Sequence, residues 1–325
     1  MSREALLSVE DLSVEFKTRR GRVAAVRSVT FELAAGQCLG IVGESGSGKS
    51  QTCFAIAGLL PQSARTGGQI RFKGRELLGA SRADFDRIRG REIGFIFQDP
   101  MTSLTPHRTV GAQLCEMLQH HESISGAAAR QRAIEIMDRV QIPDAEARFS
   151  MYPFELSGGM RQRVVIATAL ILRPALVIAD EPTTALDVTV QAEVLRTLRA
   201  VVAHAGTALI LVTHDLGVVA GSCDEVAVMY AGRIVERAAT DTLFRDPQHP
   251  YTRALLDCRP TLEQEAGSRL QTIEGVPPSP SSMEVPGCEF AARCPVVMPV
   301  CTTARPPLTQ RRPGHAAACH QEQSA

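Results

Sequence analysis

The chain of 325 residues has no net charge, with 35 lysines and arginines set against 35 aspartates and glutamates. A surface field of one sign is therefore excluded as a means of drawing in nucleic acid, although a local basic patch would not register in the sum. No apolar run reaches bilayer length: the longest, Val164 to Leu172, is closed by Arg163 and Arg173, well short of the roughly 20 residues needed to cross. The opening stretch MSREALLSVEDLSVEF carries charges at Arg3, Glu4, Glu10 and Asp11 and lacks the apolar core of a secretory signal, so a cytosolic location is expected. There is no repeat of solenoid or propeller period. What remains is an ordinary globular composition, 44% apolar, with enough core for one large or two smaller domains. The nine cysteines, in a reducing compartment, are expected to ligate metal or to pack rather than to pair.

The segments LLSVEDLSVEF and VAAVRSVTFEL alternate β-branched and polar residues and read as strands with one exposed face. A buried strand at Cys38 to Val42, a glycine loop and an apolar helix ending near Gly58 follow. Residues 108 to 142 carry helical periodicity in two segments, the second closed by Pro143. Beyond Arg173, the apolar runs ALVIAD, TALILVTHD and EVAVMYAGRIVER alternate with helical patterns, which predicts a parallel sheet with crossover helices. From Asp246 the texture changes to RDPQHPYTRALLDCRP and EGVPPSPSSMEVPG, a linker or extended arm before a small C-terminal module.

Residues Gly43, Glu44, Ser45, Gly46, Ser47, Gly48, Lys49 and Ser50, followed by Gln51, fit the pattern G-x-x-x-x-G-K-[ST], with a strand before and a helix after. Such a loop turns backbone N–H groups toward phosphate, places Lys49 on the β- and γ-phosphates and offers the Ser50 hydroxyl to Mg²⁺. A second strand ends in Asp180 and Glu181: the first is placed to bind Mg²⁺ through water and the second to accept a proton from an attacking water. An acidic pair after a strand is by itself more often a solvated loop. In LSGGMRQR, Ser157 stands before Gly158 and Gly159 as a natural N-cap, so a second set of free N–H groups marks another anion site in the same chain.

The order of these motifs resembles the nucleotide-binding subunits of ATP-binding cassette transporters, whose signature LSGGQ appears here as LSGGM, with Met160 in the glutamine position. The resemblance covers residues 5 to 245. It implies an α/β fold of the P-loop NTPase, RecA-like type: a parallel-sheet core, N-terminal antiparallel strands and an inserted helical subdomain at about residues 99 to 160. It also implies that the signature of one subunit closes over ATP held by the phosphate loop of another, which accounts for two anion sites per chain. By the same likeness Phe16 stacks on adenine, Gln98 senses Mg²⁺ and faces the membrane subunits, Thr184 to Asp187 cross the dimer interface, and His214 contacts the γ-phosphate. Without the family, Phe16 reads as core, Asp187 as a helix cap and His214 as structural.

Finer wording in IVGESGSGKS, IFQDPMTSLTP and IADEPTTALDVTVQ resembles the oligopeptide and dipeptide importers, with Thr105 and Phe154 departing from the commoner Asn and His. The likeness continues through HPYTRALL into a C-terminal extension over residues 246 to 325. It implies an ATPase at the cytoplasmic face of the inner membrane, paired with a second ATPase subunit, two membrane permeases and an extracytoplasmic solute-binding protein, and no nucleic-acid partner. The alternative is a soluble cassette ATPase acting on nucleic acid or ribosomes; the single cassette, the absence of a long coiled coil and the balanced charge all count against it. In the tail, Cys288, Cys294, Cys301 and Cys319 are spaced too widely for the usual zinc pattern even with His315 and His320 nearby, while four thiolates suit an iron–sulfur cluster. Some members of the importer branch bind a [4Fe-4S] cluster there; zinc and plain thiols stay open. Cys38, Cys53, Cys115, Cys223 and Cys258 read as packing residues.

Overall fold

The computed structural model describes residues 5–19, 21–184, 186–258, 272–278 and 286–321. Of the Pro- and Ser-rich stretch expected as an arm, residues 279–285 lie outside them. The chain divides into two compact units, one of Met1–Leu6, Leu33–Cys38 and Gly79–Val212, the other of Leu7–Glu32, Leu39–Leu78 and Thr213–Ala325.

In the first unit the strands Ile93–Ile96, Leu176–Asp180 and Ala208–Thr213 run parallel, with Ile93 opposite Leu176 and Ile178 opposite Ile210. Their side chains are continuous in apolar character because both faces are covered, and every residue of Leu176–Asp180 is buried. The helices of this unit begin at side-chain caps. Asp187 accepts from the Val190 N–H at the start of Val188–Ala205, and Gly206 ends that helix in the left-handed region. Thr109 and Ser125 cap the helices Val110–His121 and Gly126–Arg139 in the same way. The second of these stops at Arg139, ahead of the expected Pro143, because the chain turns through Gln141 at φ 61°.

The second unit holds two sheets. One is antiparallel, in the order Gly21–Ala34, Ala5–Thr18, Ala64–Phe72, Arg75–Glu76. In the other, Cys38–Val42 pairs parallel with Glu225–Tyr230, and the sheet continues antiparallel through Arg233–Ala239, His315–Ala317 and Thr309–Arg312. The run EVAVMYAGRIVER is thus two strands of a hairpin and not one member of a parallel sheet. Ala231 and Gly232, at φ 49° and 84°, form its two-residue turn, a conformation whose twist matches the flanking strands. HPYTRALL is a helix, Pro250–Asp257, with His249 as N-cap. Cys38, Cys53 and Cys223 are buried packing residues, whereas Cys115 and Cys258 are only half-buried.

The C-terminal module is fixed by a buried carboxylate. Glu236, fully buried in its strand, accepts from the Gln248 N–H at 2.6 Å, the His249 N–H at 2.9 Å and His315 Nε2 at 2.7 Å. The Nε2 of His315 is therefore committed to Glu236. Among the described residues no helix is long and apolar enough to cross a membrane. Replacing Glu236 by Ala leaves three buried donors without their acceptor and is expected to cost about 3 kcal/mol. Urea unfolding followed by protection of residues 286 to 321 measures it; an unchanged midpoint would show that the carboxylate does not hold the module.

Candidate functional site

The phosphate loop lies in the second unit between the strand Cys38–Val42 and the helix Lys49–Ala57. Two of its glycines have no substitute. A side chain on Gly48 would stand 2.4 Å from the Ala25 carbonyl at φ +99°, and one on Gly43 would stand 2.1 Å from the Met229 carbonyl. Backbone packed this closely can curl only without Cβ atoms; within the loop the Ser47 N–H donates to the Glu44 carbonyl at 3.2 Å. Lys49, 5% exposed, donates to the Gly43 carbonyl at 2.7 Å and the Glu44 carbonyl at 2.9 Å. The ammonium is thus held at the mouth of the loop, where a phosphate oxygen would exchange for a carbonyl as acceptor. Ser50 and Gln51 occupy the first turn of the helix and are half-buried, and Ser45 and Gly46 are exposed.

Glu44 differs from the expectation of a purely nucleotide-facing residue. Its N–H donates to the Tyr251 hydroxyl at 2.9 Å, and its carboxylate takes a two-point ion pair from Arg293, at 2.7 and 3.0 Å. Phe16 lines a cavity of about 180 Å³ with Glu15, Lys17, Gly21, Arg22 and Arg65, a half-buried aromatic at an open depression rather than a core residue. His214 follows the strand Ala208–Thr213 and is exposed.

In the first unit the strand Leu176–Asp180 delivers its carboxylates at one end. Asp180 is 5% exposed. Glu181 takes φ 45°, which turns the chain away from the sheet. Its Oε2 accepts from Gln98 Nε2 at 3.2 Å and from the Thr184 hydroxyl at 3.0 Å. The structure therefore brings together Gln98, Glu181 and Thr184, a set of one carboxylate and two neutral donors. The role of Thr184 as a partner of Glu181 was not legible from the TALD segment.

The signature belongs to this same unit. Ser157 caps the helix Gly158–Leu170, accepting from the Met160 N–H at 3.3 Å. Ser157 and Gly158 are exposed, so the free N–H groups of this helix start face outward. A Cβ on Gly159 would meet Val190 at 2.6 Å, so the second glycine is required by packing. One turn on, buried Arg163 donates to the Val140 carbonyl at 2.9 Å and the Thr197 hydroxyl at 3.1 Å and pairs with Glu193 at 3.3 Å. That network fixes the direction in which the helix start points.

Cys288, Cys294, Cys301 and Cys319 line one small apolar pocket of the C-terminal module. Burial pushes the Cys288 thiol up to about 11 and raises Cys294 and Cys319 as well, so the groups are held as thiols at neutral pH. Among the described residues no group of three or more His, Cys, Asp or Glu side chains is arranged to hold a metal ion. His320 faces the pocket but bonds the Ala304 carbonyl through Nε2 at 2.9 Å.

With this geometry in place, the comparisons decide the family. The ABC transporter model matches residues 26–184, and the model of the oligopeptide/dipeptide transporter C-terminal region matches residues 235–301. The oligopeptide transport ATP-binding protein OppD of Salmonella typhimurium is 51% identical over 97% of this chain and 93% of its own length. The dipeptide transport ATP-binding protein DppD of Bacillus subtilis is 49% identical over 97% of this chain and 94% of its own. The chain belongs to the ABC transporter family. As an ABC ATPase it shares its fold with the dimeric bacterial cassette MJ0796, at TM-score 0.64 and 26% identity over 72% of this chain and 98% of that one. A post-hydrolysis form of the same cassette, bound to ADP and phosphate, matches at TM-score 0.65 and 25% identity over 72% and 98%. The P-loop NTPase fold inferred from the motifs is thereby established.

Sequence reasoning missed Tyr251, Arg293 and Tyr230, all of which reach the loop region from far along the chain. The only signal for Tyr251 was its place in the importer-like HPYTRALL segment; Arg293 gave none. Replacing Gly48 by Ala is expected to destabilise the protein by about 2–3 kcal/mol through left-handed strain and the carbonyl clash. Binding of ATP should weaken at least about tenfold, since the cradle depends on this backbone path. Denaturant unfolding and ATP titration check both; a variant with wild-type affinity would show that the loop tolerates a side chain there.

Proposed function

We propose that this ABC ATPase is the ATP-hydrolysing subunit of a peptide importer, and that it works by closing two nucleotides between two ATPase subunits. The observation that carries the proposal is the presence, in one chain, of a buried-lysine phosphate loop and an outward-facing signature helix start, together with near full-length similarity to oligopeptide and dipeptide transport subunits.

In this reading Gly43 to Ser50 and Gln51 wrap the phosphates, Lys49 neutralises the β- and γ-oxygens, and Phe16 stacks on the base. Ser50, Gln98 and Asp180 present a hydroxyl, an amide and a buried carboxylate, hard oxygen donors that suit Mg²⁺. When bound, the ion neutralises charge on the phosphate oxygens. Glu181, oriented by Gln98 and Thr184, accepts the proton of the attacking water, and His214 donates to the γ-phosphate. Ser157, Gly158 and Gly159 complete the site of the neighbouring subunit. The protein's contribution is positioning and charge neutralisation, because phosphoryl transfer demands little covalent work from it.

The partners follow from the same reading: a second ATPase subunit, two permeases and a solute-binding protein, with this chain on the cytoplasmic face of the membrane. Exposed Tyr152 and Phe154, stacked at 5.5 Å shortly before the signature, offer apolar surface for a permease segment. Replacing Glu181 by Gln is expected to retain ATP binding and to lower hydrolysis at least about 100-fold, as removal of a general base does. Phosphate release by the assembled transporter measures it, and near-normal turnover would remove Glu181 from the role. Co-purification with ribosomes or DNA instead of membrane proteins would favour the nucleic-acid alternative.

We also infer that the four thiols of the C-terminal pocket are the donor set of a [4Fe-4S] cluster. Their common pocket and the chemistry of four thiol donors support this. About four irons and four acid-labile sulfides per chain in anaerobically purified protein are expected for that donor set. Zinc in their place, or no metal, would overturn the inference.

A further inference from the structure

Arg293, one residue before Cys294, reaches back 249 positions to the second residue of the phosphate loop. Its Nη1 lies 2.7 Å from Glu44 Oε2 and its Nη2 lies 3.0 Å from Oε1. The side chain is only 4% exposed. The rest of the guanidinium is spoken for: Nε donates to the Glu274 carbonyl at 3.0 Å, Nη2 also to the Ile273 carbonyl at 3.3 Å, and Nη1 to the Tyr230 hydroxyl at 3.4 Å. The fork is fixed from behind and grips a carboxylate in front, the geometry in which an arginine specifies direction as well as charge.

Glu44 is gripped at a second point. Its N–H donates to the hydroxyl of Tyr251, a fully buried ring on the helix Pro250–Asp257. Its own carbonyl then accepts from Lys49 at 2.9 Å. A short chain of bonds therefore runs from Arg293 through Glu44 to the phosphate-binding lysine. The loop is rich in glycine, and unpinned glycine backbone loses much conformational freedom when a ligand orders it. Pinning Glu44 in advance reduces that ordering cost, which is how preorganisation raises affinity.

The module does not need this ion pair in order to dock. It is already secured by Glu236 with His315, by the strand pairing of His315–Ala317 with Arg233–Ala239, and by Glu289 with Arg233 at 3.2 Å. The contact with Glu44 is additional, and it falls on a catalytic loop.

We propose that Arg293 and Tyr251 are positioning residues for nucleotide binding, so that the docked C-terminal module sets the affinity of the phosphate loop for ATP. This rests on the ATPase reading of the loop. The module acts through Glu44, and by linkage a nucleotide on the loop holds the module more firmly in return.

The test uses the full-length chain with Mg-ATP as the probe. Arg293→Lys keeps the charge and loses the fork, Glu44→Gln removes the acceptor charge, and Glu289→Gln loosens another anchor of the module. The dissociation constant for ATP is expected to rise about 5- to 10-fold in Arg293→Lys and in Glu44→Gln, an effect of roughly 1 to 1.4 kcal/mol. The double variant should be no weaker than Glu44→Gln alone, since one interaction cannot be lost twice. Glu289→Gln should bind ATP as the wild type does. In the assembled transporter the loss in Arg293→Lys should appear in KM, with kcat at saturating ATP within about twofold, as uniform binding predicts. Unchanged affinity in Arg293→Lys, additive losses in the double variant, or an equal loss in Glu289→Gln would each overturn the proposal. Should Arg293→Lys fail to fold, Glu44→Gln carries the test through hydrogen exchange: ATP slows exchange of residues 286 to 321 in the wild type and fails to do so in the variant. ATP protection of those residues undiminished in Glu44→Gln overturns the proposal. A wild-type chain that binds no ATP would sink the ATPase reading itself, which separates the two failures.

Discussion

Close backbone approach at the phosphate loop is the constraint on which the rest of the second unit depends. The carbonyls of Met229 and Ala25 stand where side chains on Gly43 and Gly48 would have to go. The strand Glu225–Tyr230 must therefore lie beside Cys38–Val42 for the loop to have its shape, and the parallel pairing of Leu39 with Glu225 through Val42 with Val228 supplies that. An anion cradle is made from backbone amides, and backbone can be aimed only by what packs against it. The long β-strands and buried rings of this unit are, in that sense, the mould of eight residues.

The first unit obeys a different rule, in which side chains set the direction. Helix starts are capped by Thr109, Ser125, Ser157 and Asp187, and the one that matters for function is aimed by a buried cation: Arg163 is bound to two elements that follow or precede its own helix. Glu181 is likewise an oriented group rather than a free carboxylate, because Gln98 and Thr184 reach the same oxygen.

How much of this was legible depended on sequence distance. The loop, the capped signature helix and the strand ending in Asp180 and Glu181 are local patterns, readable because each is made by consecutive residues. The hairpin turn at Ala231 and Gly232 was missed because the apolar run continues across it, and the helix end at Arg139 because a left-handed Gln141 stops the chain before the proline does. His315 was weighed as a zinc ligand on proximity to cysteines, whereas its partner, Glu236, is 79 residues away. The grip of Arg293 on Glu44 had no local trace at all; a long-range ion pair leaves no periodicity.

The strand Arg233–Ala239 has a bearing on how this chain can be dissected. The importer-type C-terminal match begins at residue 235, inside that strand, which pairs with Glu225–Tyr230 on one edge and His315–Ala317 on the other. Tail and cassette thus share a strand, and no excision point separates them. A shortened protein ending near residue 245 would bare the hydrogen-bonding edge of Arg233–Ala239 along with an unmatched Glu236, a template for adhesion between molecules. Stickiness in such a fragment would report the exposed edge, not a function of the missing tail.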